Sequence, residues 1–549
     1  MLWRGWGDPA RARPLPEPVR ELLRDLLGVR PADAPPLPLA EVRVPVPRLP
    51  AVARAALAAA VGEGSLRDDD ESRIRHTRGK STPDLLRMRS GDAAAAPDAV
   101  VLPGTHDDVL AVLRVCTEHR VVVVPYGGGT SVVGGLAPAA ADGGGDGGHR
   151  CPVIALDLRR LDRVAAFDPI SRTATLEAGL RAPRAEALLR ERGHTLGHFP
   201  QSYEWATIGG FAAARSSGQA SAGYGRFDDM VVGLTVATPR GTLVLGRAPK
   251  SAAGPDLRQL VLGSEGAFGV ITAVTVRVRP APATSAYEGW GFSSFAAGTA
   301  ALRALAQDGP LPTVLRLSDE TETMVGLAPR STRPTRSTRP TRPASGGPGP
   351  PAAADPGCLV VVGYEGTAAD VADRQAKAHA VLHAAGGTTL GPEPGEQWAE
   401  GRYAAPYLRD ALLDVGAFAE TLETAAFWSD LPSLYEAVRE ALATALTAAG
   451  PPPLIMCHIS HVYAAGAALY FTVVAADPGT AGWALAKRAA SEAIAGAGGT
   501  ISHHHGVGTD HRDWYAKEIG PLGVDVLRAV KDRLDPAGIL NPGILLPTD

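Results

Sequence analysis

Two short stretches of this chain combine residue types that could do chemistry. The first, Pro125-Tyr126-Gly127-Gly128-Gly129-Thr130-Ser131, follows the apolar run Val121 to Val124. Its glycines put no Cβ in the way and let successive N–H groups converge on an anion, while Thr130 and Ser131 add hydroxyl donors. That is phosphate-binding chemistry. No Lys-Ser/Thr follows the glycines and no GxGxxG opens a helix, so neither of the two common nucleotide loops applies. Standing alone, the heptad is also readable as a glycine-rich hairpin loop. The second stretch, His503-His504-His505, lies between Gly498-Gly499-Thr500-Ile501-Ser502 and Gly506-Val507-Gly508. On a strand, His503 and His505 would share a face and His504 would point away. A metal site is conceivable there with His511, His458 or His461 as further ligands, and so is a group of structural histidines.

The heptad has company. Gln201-Ser202-Tyr203-Glu204-Trp205-Ala206-Thr207-Ile208-Gly209-Gly210 runs on to Ala214-Arg215-Ser216-Ser217-Gly218, and Gly263-Ser264-Glu265-Gly266-Ala267-Phe268-Gly269-Val270-Ile271 follows. Three glycine and hydroxyl turns in chain order, each beside a strand, suit a long ligand with a pyrophosphate in its middle, held by backbone N–H groups.

Around these turns the pattern is α/β alternation: strand 100–102, helix 107–119, strand 121–124, strand 153–156, strand 173–178, helix 184–192, a hairpin of 231–238 with 242–245, and an alternating strand 269–278 closed by Pro280 and Pro282. A domain boundary is placed there. A second unit opens with helix 295–306 and strand 313–317, then strand 359–364 with helix 368–385 and strand 469–474 with helix 481–495. It reads as an α+β sheet with helices on one face. Helix 515–533 and a turn-rich tail, Asp535 to Gly543, follow. The division expected is an N-terminal cap at 1–95 with helices at 17–27 and 51–61, a first domain at 96–282 and a second at 283–549. Two segments are expected to be loops: the glycine-rich 139–149, and a low-complexity Arg/Pro insert at 330–357 whose Ser-Thr-Arg-Pro-Thr-Arg repeats twice.

Composition bounds the function. A chain of 549 residues exceeds one core. Net charge is −4, which gives no electrostatic case for nucleic acid. Of 54 basic residues only six are lysine, an imbalance spread along the whole chain that points to no basic surface. Four cysteines lie far apart with no CxxC pair, indicating neither zinc nor disulfides and suggesting a reducing cytoplasm. Residues 1–27 lack the apolar core of a secretory signal, and no apolar run spans a membrane, which leaves peripheral contact open. The final Pro-Thr-Asp is not a peroxisomal address.

PYGGGTSVVGG, ATIGGFAAARSSG, YGRFDDMVVGLTVATPRG and GSEGAFGVIT, in that order, resemble the vanillyl-alcohol-oxidase (PCMH) type of FAD-binding domain over about 99–280. The resemblance implies an α+β fold, with two α+β subdomains followed by a cap domain of antiparallel sheet and helices. It also implies FAD, with the pyrophosphate at 125–131 and further contacts at 201–207, 214–217 and 265–271. Some such proteins tether flavin through a histidine in the glycine loop; position 130 is Thr, so a non-covalent FAD is expected. SHHHGVG, LYFTV at 469–473, Tyr407-Leu408-Arg409-Asp410, Trp3-Arg4-Gly5-Trp6-Gly7 and the tail resemble the alkyldihydroxyacetonephosphate synthase family of ether-lipid enzymes. That likeness implies exchange of the acyl chain of 1-acyl-dihydroxyacetone phosphate for a fatty alcohol by a homodimer. Tyr470 matches the acid/base tyrosine, His503, His504 and His505 the essential histidines, Arg409 the substrate arginine and, more weakly, Arg247 a second. A tyrosine in that role needs its pKa lowered, which nearby imidazoles or an arginine would do. The alternative is an FAD-dependent oxidase or dehydrogenase of a 2-hydroxy acid such as D-lactate or glycolate, whose members usually carry Glu-His-Gly where this chain has His-His-Gly.

Overall fold

The computed structural model describes residues 1–31, 35–137, 151–327, 357–448 and 450–547. All of the 139–149 loop, and the insert up to residue 356, lie outside these. Three larger sheets, beside a two-stranded one of His194–Thr195 with Arg279–Pro280, organise the described residues. In the first, Leu66–Arg67, Ala99–Val101, Val153–Asp157 and Val122–Tyr126 are neighbours in that order, the last three mutually parallel. Parallel strands require covered faces and near-continuous apolar runs, which Val122 to Val124 and Val153 to Leu156 supply. Helix His106–His119 makes the crossover. It starts where Thr105 accepts from the Asp108 N–H in a capping box and stops at Arg120, whose φ is 54°.

The second sheet is antiparallel, in the order Val164–Asp168, Thr173–Glu177, Val270–Arg277, Val231–Thr238 and Gly241–Leu245. It shares one apolar core with the first. The third has seven antiparallel strands: Thr388–Gly391, Thr284–Phe292, Cys358–Gly366, Val314–Ser318, Leu454–Val462, Gly466–Ala476 and Ala417–Phe427. Alternation along its strands sorts two faces. Ile455, Cys457, Ile459, Leu469, Phe471 and Val473 are buried in a core built with helices Phe295–Gln307, Leu431–Thr447 and Gly479–Gly496. Their neighbours Met456, His458, Tyr470, Thr472 and Val474 face the other way, toward the first two sheets.

The ends of the chain bind these parts together. Residues 1–95 are less irregular than the proline content suggests, with helices Glu17–Leu27, Ala51–Val61, Asp70–Arg75 and Thr82–Arg89, and with Leu66–Arg67 completing the first sheet. The tail after helix Arg512–Leu534 returns to the first half. The Val123 N–H donates to Ile539 O, and the Asn541 N–H donates to Val123 O. The buried Asn541 side chain donates to Gly135 O (3.1 Å) and Glu265 O (2.8 Å) from a left-handed backbone, φ 40°. Asn541→Ala leaves two carbonyls unpaired and removes a residue that tolerates this conformation. It should cost about 2 kcal/mol, read as a lower urea midpoint with unchanged slope.

Candidate active site

A cavity of about 480 Å³ lies between the first two sheets and the outward face of the third. Pro125, Tyr126, Gly127, Gly128, Gly129, Thr130 and Ser131 line it, with Gln201, Ser202, Ala206, Thr207, Ala214, Ser216, Ser217, Glu265, Gly266, Gly269, Val270 and Ile271. The glycine turn packs directly on the second segment: a methyl at Gly128 would overlap the Trp205 carbonyl, and one at Gly127 the Thr207 hydroxyl. Thr207 in turn caps helix Ile208–Ala213 by accepting from the Gly210 N–H. Among the described residues none accepts from the N–H groups of Gly128, Gly129 and Thr130. Unpartnered N–H groups on a glycine turn fit the diphosphate of FAD.

Six of the expected cofactor residues do not reach the cavity lining. Tyr203 stacks on Tyr403, Glu204 pairs with Arg11 and accepts from the Tyr407 hydroxyl, and Trp205 lies under Arg181. Arg215 donates to Leu262 O and Gln259, and Ala267 and Phe268 are buried in a small core with Val507. Each supports a neighbour of the lining. Arg247 is exposed on the segment after strand Gly241–Leu245 and lies outside the cavity, so the expectation that it meets substrate is corrected.

The opposite wall is built by strand pairing. Tyr470 stands across from His458 on one side and Glu423 on the other. Its ring stacks on His458 (4.8 Å, 19°) and lies 6.0 Å from His504, nearly parallel. His461 would fall on the core face if the alternation continued. An irregularity in pairing between Ile459 and His461 turns it into the cavity instead.

The histidine triplet is not on a strand. It forms a bend around the buried Glu423 carboxylate, which accepts from the N–H groups of His503 (2.7 Å), His504 (3.2 Å) and His505 (2.9 Å) and from the Ser502 hydroxyl (2.8 Å). The expected alternation is therefore overturned: His504 and His505 both line the cavity, and His503 sits behind them against the Tyr463 hydroxyl at 2.7 Å. Immediately downstream, the N–H groups of Val507 and Gly508 donate to Glu265, both at 2.8 Å. His511 is turned away, its Nδ1 on Gly506 O.

Burial sets the charges. It holds His504 below the ordinary imidazole value, His505 down at about 3 and His503 well below, so all three are neutral near pH 7. Burial alone would push the Glu423 carboxyl up. The donated N–H groups, joined in acid by the imidazoles of His504, His505 and His503 as these gain charge, outweigh it and hold Glu423 well below its ordinary value. For Tyr470 the expected lowering is reversed: burial pushes it up to about 12, with Glu420 and Glu423 adding to the rise and Arg409 opposing it. Its hydroxyl stays protonated.

Sequence reasoning named Arg409 in this wall but passed over Arg316, Glu322 and Lys80. Arg316 lines the cavity and donates to Glu322 (2.7 Å) beside His458 Nδ1 (2.9 Å). Burial would raise Glu322, but Arg316 and His458 bring it to about 2. Arg409, on helix Ala405–Asp414, donates to Lys80 O at 2.6 Å and keeps a buried unpartnered Nε. Lys80, whose pKa burial and then Arg409 lower to about 7, donates to Leu2 O and Trp3 O and draws the first residues over the cavity, where Trp6 joins the lining. The one available signal was alternation: Arg316 interrupts an otherwise apolar strand.

Fold and cavity together define a flavoprotein. Residues 97–246 match the FAD binding domain family and residues 281–545 the FAD linked oxidases, C-terminal domain family. The solved 4-ethylphenol oxidase of Gulosibacter chungangensis shares the vanillyl-alcohol-oxidase fold (TM-score 0.69, 15% identity, 92% of this chain and 99% of that one). An alkyldihydroxyacetonephosphate synthase of Trypanosoma brucei brucei is 34% identical over all of this chain and 92% of the relative. A solved structure of alkyldihydroxyacetonephosphate synthase superposes with a TM-score of 0.79 at 29% identity, covering 99% of this chain and 98% of that one. The chain belongs to the alkyldihydroxyacetonephosphate synthase family.

Glu265 gives the site a pH signature. Burial raises its pKa from 4.5 to about 7 against the opposing N–H groups of Gly508 and Val507. A folded value above the unfolded one means its stabilising contribution is complete below pH 4.5 and is lost as pH rises through 7. Glu265→Gln keeps an acceptor oxygen without the charge. The variant should match the native chain below pH 4.5 and exceed it by up to about 3 kcal/mol at pH 8 in urea unfolding.

Proposed function

We propose that this protein exchanges the acyl chain of 1-acyl-dihydroxyacetone phosphate for a long-chain alcohol, releasing a fatty acid, with FAD held non-covalently. One observation carries the reading: Tyr470, His504, His505 and Arg409 line a single cavity. An apolar wall of Leu408, Leu412, Met456 and Val474 continues from them and suits an alkyl chain. FAD, when bound, would supply an electron sink, with no net redox over the turnover.

The chain's own groups divide the remaining work. A neutral imidazole is a proton acceptor, so His504 or His505 takes the proton from the C1 carbon; the protonated Tyr470 hydroxyl gives a hydrogen bond or proton to the ester oxygen that departs with the acyl group. The Tyr470 oxygen, left without its proton, then takes the alcohol proton as the alcohol oxygen bonds to C1, and the imidazolium returns its proton to C1, so each group ends as it began. The Arg409 fork, with an Nε unpartnered among the described residues, holds the phosphate. Thr130 offers the flavin a hydroxyl and no tethering imidazole. No described helix is long and apolar enough to cross a membrane. Leu408, about half exposed and also lining the cavity, marks where a lipid chain would enter during peripheral membrane contact. A homodimer completes the reading on family likeness alone, as do the domain limits 96–282 and 283–549.

The test is incubation with labelled fatty alcohol and acyl-dihydroxyacetone phosphate, followed by mass spectrometry for the ether product. Native protein should form it, and Tyr470→Phe and His504→Ala should each lower kcat by about 10² or more with FAD content retained. Full turnover in both variants would sink the assigned roles. Flavin bleaching by D-lactate or glycolate, with no ether, would replace the reaction by hydroxy-acid oxidation.

A further inference from the structure

Behind the cavity wall, His461, His503 and His504 place one ring nitrogen each within 4.8 Å of one another. The rings of His461 and His503 stack at 5.0 Å, and His504 stands edge-on to both, at 4.9 and 5.2 Å. The Nδ1 atoms of His503 and His504 are 3.0 Å apart. His461 and His503 are buried, and His504 is nearly so. A neutral imidazole offers one ring lone pair to a metal.

The surrounding hydroxyls decide which nitrogens carry those lone pairs. Ser217 Oγ (3.0 Å) and Ser221 Oγ (2.7 Å) both lie on His461 Nδ1, and either can accept its N–H, which leaves Nε2 unprotonated. The Tyr463 hydroxyl can likewise accept from His503 Nε2 at 2.7 Å, leaving Nδ1 free beside His504. Such acceptors behind imidazoles are what orient histidine ligands around a metal. Glu423 adds a buried carboxylate 3.5 Å from His504 Nδ1, already saturated by peptide N–H groups and so placed to balance charge without ligating.

We infer that His461, His503 and His504 form a binding site for a borderline transition-metal cation, of the Zn²⁺ or Co²⁺ class. Three neutral imidazoles select such ions over Mg²⁺ and Ca²⁺, which take oxygen ligands. Three protein ligands leave a fourth position open. His461 and His504 line the cavity, so the ion has a way in. Occupancy takes up the lone pair of His504 that the proposed reaction uses, which makes the ion a reversible inhibitor; this consequence rests on that proposal, whereas the site does not.

The test uses the full-length, FAD-loaded chain without a histidine tag, equilibrated with Zn²⁺ and passed through gel filtration. Native protein should retain one Zn²⁺ per chain by elemental analysis, and Co²⁺ should give the visible absorption of a low-coordinate site. His461→Ala should lose both signals. Ser217→Ala with Ser221→Ala, which leaves all three ligands in place, should weaken binding about 10-fold or more, with flavin absorbance reporting that each variant is folded. Absence of retained Zn²⁺ in the native chain would overturn the site. So would retention that survives His461→Ala, or equal retention of Mg²⁺.

Discussion

The site depends on how the Glu423 carboxylate is occupied. It is buried and ionised, and three consecutive peptide N–H groups and one hydroxyl point at it. Burying a carboxylate is costly unless hydrogen bonds to its charged form compensate, and charge-assisted bonds of this kind are about twice as strong as neutral ones. The bend at 502–505 is thus the conformation that lets one carboxylate take up successive donors. Glu265 does the same for Val507 and Gly508 from the flavin half. Two acids, one from each half of the molecule, fix the loop that carries the histidines.

Placement then dictates protonation. The imidazoles and the tyrosine share a wall from which water is largely withdrawn, and desolvation favours the neutral form of each. Acceptors and donor are thereby separated without a lowered tyrosine pKa. The cations Arg409 and Arg316 sit farther along the same wall, one tied to a carbonyl and the other to Glu322.

Much of this was legible in sequence, for local reasons. Glycine turns, capping residues and alternating strands are short-range patterns, and the helices at 17–27, 51–61 and 295–306 and the strands around 153–156 and 231–238 lie where those patterns put them. The triplet was legible as a cluster but not as a bend, because the acceptor that bends it lies about 80 residues away on another strand. The Tyr470 pKa was misjudged because burial is a tertiary property. Lys80 and Arg316 were passed over since each owes its place to packing, and His461, named only as a possible metal ligand, owes its place in the cavity to a single irregularity in strand pairing. Arg247 shows the converse: a basic residue at the right position in a motif can end on an exposed turn.

The return of the tail has a bearing on biogenesis. Asn541 reaches Gly135 across 406 residues of intervening chain, and residues 539–541 add an edge beside the strand that leads into the glycine turn. The flavin half therefore lacks one of its sheet contacts until residues 539–541 have left the ribosome. Domains that fold in order during synthesis acquire function piecemeal. In this chain residues made some 400 positions later complete the part that holds the cofactor, so a ribosome that stalls between the two releases a product with an unfinished cradle.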